Sequence, residues 1–345
     1  ETFGRVAIPK ELPYCFFVEG GALAVENALK TAFDWKTRKN WQKGSETEGS
    51  MAIHFKQAFH GRSGYTLSLT NTSDPRKYQY FPLFDWPRII NPKLHFPITE
   101  ENLQETIKNE QLALVEIEQA ILMNPDKVSC IIIEVIQAEG GDNHFRDEFF
   151  VELRKICDEN DILLIFDEVQ TGIGITGKMW AFQNFSVVPD VISFGKKTQV
   201  CGILASKEKL NEVENHVFAE SSRINSTFGG NFIDMLRFQL VLEIIEKENL
   251  LENVQKQGAF LLKGLQNLQE KYPQLISNAR GKGLMCAFDL PTGEIRKDFQ
   301  EKLYEENVII LICGDCSLRF RPHLNVSQED LQFAIDKIEK IVHKY

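Results

Sequence analysis

Two nearly continuous apolar runs carry the middle of the chain, Val128 to Ile136 (VSCIIIEVI) and Ile162 to Val169 (ILLIFDEV). Between them Phe149, Phe150, Leu153, Ile156 and Cys157 recur at helical spacing, which predicts a helix over Glu148 to Asn160. Strand, helix, strand with unbroken apolar strands is the pattern of a parallel βαβ unit. Short strands are expected next at Val191 to Phe194 and Gly202 to Ala205, so the fold class is α/β with a mostly parallel sheet. A helix is predicted near the front over Leu23 to Lys39, and two more over Asp234 to Glu248 and Leu251 to Lys271, the last ended by Tyr272-Pro273. Strand candidates at Leu284 to Leu290 and Val308 to Cys313 and a closing helix from Gln328 to His343 complete the pattern. The expected organisation is a large domain over residues 1–245 and a smaller α+β domain over 246–345.

Composition narrows the function classes. The chain has 345 residues, 43% hydrophobic and 26% charged, as an ordinary globular enzyme would. A formal net charge of −10 argues against a nucleic-acid partner. No apolar run approaches the roughly 20 residues of a membrane helix, and no membrane partner is expected. The opening residues ETFGRVAIPK have neither the basic start nor the apolar centre of a signal peptide, and a chain beginning with Glu is expected to have residues ahead of it. Seven scattered cysteines fit reduced thiols and a cytoplasmic location better than a disulfide framework. Cys313 and Cys316 form a lone C-x-x-C without the second pair or nearby His that a zinc site needs.

Four features could carry chemistry. Asp167 ends a buried strand, at the edge where parallel sheets bind ligands, and a carboxylate there is costly unless it meets a cation. A helix cap or a salt-bridged core acid would explain it equally well. Lys196 and Lys197 follow the next strand, where burial would free an amine for Schiff-base chemistry, although a solvated surface pair is the commoner meaning of Lys-Lys. Gly20 and Gly21 precede a good helix and could offer backbone N–H groups to a phosphate, or merely make a turn. Gly172, Gly174 and Gly177 fit G-x-G-x-x-G, with Asp190 near the position of a ribose-binding acid, and Gly172 to Lys178 fits most of a P-loop. Against a nucleotide, Met179 stands where that loop needs Ser or Thr, and Asp167 and Glu168 would face a pyrophosphate.

Taken together, several segments resemble the class III aminotransferases, the ω-aminotransferase branch of the fold-type-I pyridoxal-phosphate enzymes. The most specific is FDEVQTGIGITGKMWAFQNFSVVPDVISFGKK, residues 166–197, with an acid after a hydrophobic strand, D-E-V-Q-T-G, a T-G pair, P-D and then G-K. FFVEGGALAVENALKTAF, QAFHGRSGYT, EVIQAEGG, STFGGN and LRFRPHLNVS match further family elements in family order over nearly the whole chain. Ile175 stands where many members have Arg, and Val135 in the usual Pro position. Members carry about a hundred further residues ahead of this start, and these contribute part of the small domain and pocket. EGGALAVENALK, FDWK and SFGKKTQVCG are most similar to members acting on the ε-amine of L-lysine, rather than on ornithine or 4-aminobutyrate.

The resemblance implies pyridoxal 5′-phosphate as cofactor, held by Lys196 as a Schiff base. Asp167 would keep the pyridine nitrogen protonated, Gln170 would reach the phenolic oxygen and Phe59 would stack on the ring. Gly21 and Ala22 would cradle the phosphate, completed by Ser226 and Thr227 of a second subunit in a homodimer. Arg62 would grip the substrate carboxylate far from the reacting carbon, and Arg319 the second carboxylate of 2-oxoglutarate. Glu139 would mask Arg319 while L-lysine is bound, and L-glutamate would be the product of the second half-reaction. A chain of this fold that serves only as a binding partner stays a separate reading.

Overall fold

The computed structural model describes residues 1–345. Seven strands make the main sheet: β1 (Tyr14–Val18), β2 (Met51–Phe55), β3 (Arg88–Ile89), β4 (Val128–Glu134), β5 (Leu163–Asp167), β6 (Val191–Phe194) and β7 (Cys201–Ala205). Their order is β1-β7-β6-β5-β4-β2-β3. Strands β3, β2, β4, β5 and β6 run parallel, and only β7 is antiparallel to its neighbours β6 and β1. Alternate residues serve opposite faces. Ile131, Ile133, Leu164, Phe166 and Ile192 enter one core with Phe149 and Phe150. Ile132, Leu163, Ile165 and Ile203 enter another with Ala28, Leu29, Ala32 and Trp35 of the helix Gly21–Gln42. Helices on both faces are why the strands are apolar throughout.

Register positions the site. Glu134 of β4 pairs with Asp167 of β5, and Asp167 with Ser193 of β6. Three polar side chains therefore stand abreast at the C-terminal edge of the parallel strands, where such sheets bind ligands.

A second sheet follows, made of β8 (Ser277–Lys282), β9 (Met285–Asp289), β10 (Leu311–Cys313) and β11 (Ser317–Arg319), all antiparallel in the order β10-β11-β9-β8. Helices Leu250–Lys271, Gly293–Glu305 and Gln328–Val342 cover it, with Leu261, Leu265, Phe299 and Ile338 in one core with Phe288 of β9. Two arginines, the buried Arg280 of β8 and the half-buried Arg321 just after β11, reach the loop after β4. Arg280 Nε donates to Asp142 O at 3.0 Å and pairs with Asp289 at 2.9 Å, and Arg321 Nη1 donates to Asp142 Oδ2 at 2.8 Å. Cys313 and Cys316 flank the β10–β11 turn, and all seven cysteines are free thiols.

The expected elements are present with shifted ends, and others come without a forecast from the sequence, among them the helices Glu100–Met123 and Gly293–Glu305 and the strands β1, β2 and β8. The run from Val128 leaves the sheet at Glu134, because Ala138 N turns back to donate to Glu134 Oε2 at 3.1 Å. The Gly172–Gly177 loop is no nucleotide cradle. A Cβ at Gly172 would meet Trp180 at 2.6 Å, and Gly174 packs on Leu251 and Leu324. Asp190 is buried on Arg154 at 2.8 Å and accepts from Leu164 N at 2.7 Å, a structural clasp rather than a ribose ligand. No helix is long and apolar enough to cross a membrane.

Candidate active site

A cavity of about 280 Å³ opens at the C-terminal edge of β4–β6, lined by Phe59, Arg62, Glu134, Asp167, Gln170 and Lys196 together with Gly21 and Ala22. Each arrives for a local reason. Gly20 has φ +101°, a conformation glycine reaches without the Cβ penalty. It turns the chain so that the 22-residue helix starting at Gly21 points its N-terminus, with unsatisfied N–H groups, at the cavity. Lys196 follows β6 with φ +55°, uncommon for a residue with a side chain and of the kind that gathers at functional sites. Its side chain is exposed to the cavity.

Asp167 is buried and fully engaged. Its Oδ1 accepts from Val169 N at 3.0 Å and from Ser193 Oγ at 3.2 Å, and its Oδ2 lies 2.8 Å from His60 Nδ1. Burial opposes charge on His60, but the hydrogen bond and charge of Asp167 outweigh it and raise the imidazole pKa. His60 Nε2 is buried without a partner. Beside it Glu134 accepts from Phe59 N at 2.9 Å, and its carboxyl is pushed up to about 7, first by burial and further by Asp167, with His60 working against the shift.

A second cluster lies beyond Phe59. Arg319, at the end of β11, donates from Nη2 to Glu139 Oε2 at 2.9 Å, while its Nε and Nη1 are buried without partners. Lys77 Nζ lies 2.5 Å from Glu139 Oε1. Burial works against ionisation of Glu139, but Lys77 and Arg319 together hold its carboxyl below the usual range. The cationic ends of Arg62 and Lys77 lie 5.8 and 5.6 Å from the Phe59 ring centre. Arg62 itself is exposed, pairs with no carboxylate and is free for a ligand.

The structure thus brings Gly21, Ala22, Phe59, Arg62, Asp167, Gln170 and Lys196 to one cavity and joins Glu139 to Arg319 close by. It does not bring Ser226 and Thr227 there. Thr227 is exposed, and Ser226 Oγ accepts from Gly229 N at 3.0 Å. Sequence reading gave no role to His60, Glu134, Ser193 or Lys77. The His60–Asp167 pair spans 107 positions, so no local spacing announces it. The one available signal was the imidazole directly before Gly61-Arg62 in QAFHGRSG.

A pyridoxal-phosphate-sized ligand fits these residues. A buried carboxylate that could face a protonated ring nitrogen, an exposed amine and a helix N-terminus that could take a phosphate all line the cavity. The sequence matches the family model "Aminotransferase class-III" over residues 5–342, and this chain belongs to that family. Members of the family depend on pyridoxal phosphate. The L-lysine-epsilon aminotransferase of Mycobacterium tuberculosis is 49% identical over 336 residues, 97% of this chain and 74% of that one. A solved lysine aminotransferase from M. tuberculosis, in its internal aldimine form, superposes with a TM-score of 0.95 at 48% identity, covering 99% of this chain and 78% of that chain. The mitochondrial 4-aminobutyrate aminotransferase of Homo sapiens is 36% identical over 336 residues, covering 92% of this chain and 65% of that one. This chain is therefore an aminotransferase.

Proposed function

We propose that this aminotransferase moves the ε-amino group of L-lysine to 2-oxoglutarate, giving 2-aminoadipate 6-semialdehyde and L-glutamate. The observation that carries the reading is the Glu139–Arg319 pair at 2.9 Å beside an unpaired Arg62. The two substrates differ in one carboxylate, and the site holds one arginine free and one masked. Arg62 would take the carboxylate far from the reacting carbon in bidentate fashion. Arg319, freed from Glu139, would offer donors to the second carboxylate of 2-oxoglutarate. The likeness to relatives bearing the lysine name supports the donor, and the lower identity of the 4-aminobutyrate enzyme makes it the less favoured alternative.

Bound pyridoxal phosphate supplies an electron sink for the substrate's amine-bearing carbon. Asp167, fixed by Val169, Ser193 and His60, holds the proton on the pyridine nitrogen. Lys196 Nζ, which lines the cavity, would hold the cofactor and move the proton at the amine-bearing carbon. Phe59 would cover one ring face, Gln170 would reach the phenolic oxygen, and the N–H groups at Gly21 and Ala22 would bind the phosphate.

Ser226 and Thr227 would reach the phosphate of a second copy, which makes the working unit a homodimer. Phe228, Phe232, Ile233 and Leu236 lie exposed immediately after them, an apolar surface that a second copy would cover. The seven unpaired cysteines support a cytoplasmic setting.

The test is a panel of L-lysine, L-ornithine and 4-aminobutyrate with 2-oxoglutarate, reading glutamate. Lysine as the fastest donor is expected. Preference for another amine by tenfold or more would overturn the assignment of donor.

A further inference from the structure

Glu139 has two cationic partners, and masking Arg319 requires only one of them. Lys77 engages Oε1 while Arg319 engages Oε2, so neither cation displaces the other. The cluster is largely out of water, with side-chain exposures of 13% for Lys77, 8% for Arg319 and 27% for Glu139. A carboxylate leaving its only partner in such a place would carry a desolvation cost. Glu139 can leave Arg319 and still hold Lys77.

Hydrogen bonds tie together the segments that carry the cluster. Gly314 N donates to Glu139 O at 2.9 Å, and Ser73 Oγ donates to Gly314 O at 3.3 Å. Lys77 ends a short helical turn opened by Asp74, whose side chain accepts from Arg76 N at 3.2 Å. Glu139, the β10–β11 turn and the segment carrying Lys77 are thus linked by hydrogen bonds.

We infer that Lys77 is a positioning residue for substrate selection: it anchors Glu139 whenever Arg319 is opened, and so sets how readily the site accepts a second carboxylate. The inference rests on the two-substrate reading above. Without Lys77, Glu139 has Arg319 as its sole cation and closes over it more tightly. A dicarboxylate then competes less well, whereas an amine that needs Arg319 masked is affected less. Lys77 acts through Glu139 and is not itself the receptor of the carboxylate.

The test uses the full-length holoenzyme with Lys77→Met, Lys77→Arg, Glu139→Ala, Arg319→Ala and the Lys77→Met/Glu139→Ala double variant. KM and kcat are measured for each half-reaction, and dissociation constants are measured for glutarate, a dicarboxylate that cannot react. Lys77→Met is expected to raise the glutarate dissociation constant and the KM for 2-oxoglutarate roughly tenfold, the size of one charge-assisted hydrogen bond, relative to its effect on lysine. Lys77→Arg should restore most of this. In the Glu139→Ala background the same change should add less than about twofold. An equal loss in both half-reactions, with glutarate binding unmoved, would overturn the inference. So would a tenfold loss that persists without Glu139, since Lys77 would then bind the dicarboxylate directly. Arg319→Ala separates the two levels. If it leaves glutarate binding intact, the two-substrate reading fails and this inference with it. If it weakens glutarate while Lys77→Met does not, the inference alone fails.

Discussion

His60 Nδ1 lies 2.8 Å from Asp167 Oδ2, and both side chains are shut away from solvent. Burial works against charge on the imidazole, and the hydrogen bond and charge of Asp167 outweigh it and raise its pKa. With Val169 and Ser193 on the other oxygen, Asp167 has one orientation, toward the cavity. His60→Phe should therefore fold but hold pyridoxal phosphate about tenfold or more weakly, the cost of a lost charge-assisted contact. Equilibrium dialysis of cofactor from the variant measures this, and unchanged retention would show that His60 is packing alone.

Asp167→Ala should keep the fold, bind the cofactor weakly and lose most turnover, because no other acid stands at the base of the cavity within reach of the ring position except Glu134, whose carboxyl is pushed up to about 7 and is engaged by Phe59 and Ala138. Turnover near that of the parent would mean another acid holds the ring.

Lys196→Ala should abolish transamination and the visible absorbance of bound cofactor, while Lys197→Ala keeps much of both. Lys197 Nζ lies 2.5 Å from Gln170 O, turned away from the role its neighbour plays. A yellow, active Lys196→Ala protein would reverse the assignment.

Lys197 also makes a pH prediction. Its amine is pushed down to about 7, chiefly by burial and also by Arg321 and Lys196. Between that value and the ordinary lysine value of 10.5, the unfolded chain binds the extra proton, so stability rises with pH. The slope from this one group is at most about 1.4 kcal/mol per pH unit. Denaturant unfolding at pH 7 and pH 9 should show the parent gaining on Lys197→Met. A difference between them that does not change with pH would mean the amine is solvated.

Glu139→Ala leaves Arg319 without its carboxylate and should slow lysine through its ε-amine while sparing or improving glutamate. The expected change in the ratio of rate constants is roughly tenfold, from leaving one partly buried charge unpaired. Single-turnover kinetics with each amine measure it, and equal slowing of both would reduce Glu139 to a structural residue.

The strands that hold the site were readable because both their faces are buried. β4 and β5 are apolar at nearly every position before their final acids, and Asp167 stands out as the acid that ends such a run. Elements with mixed surroundings left weaker traces. The helix Glu100–Met123 buries Thr106, Glu110, Ala113 and Ile117, a stripe half polar in composition. Strand β8, SNARGK, contains a buried arginine that reaches the backbone of Gly141 and Asp142, far back along the chain. The same distance hid His60 and Lys77. Their roles depend on Asp167 and Glu139, which folding brings close and sequence spacing does not. Arg319 and Glu139 were paired on family resemblance, not on any pattern of residues between them.

Asp142, buried under Arg321 and the backbone contact of Arg280, has a consequence for how the molecule comes apart. Ile136, Ala138 and Ile175 of the first half belong to the same apolar cluster as Leu261, Phe288 and Ile338 of the second. Separating the halves would strip an ionised side chain of its counter-charge and expose that shared cluster in one event. Melting should accordingly be a single cooperative transition, and a fragment cut near residue 245 should not retain native structure on either side of the cut.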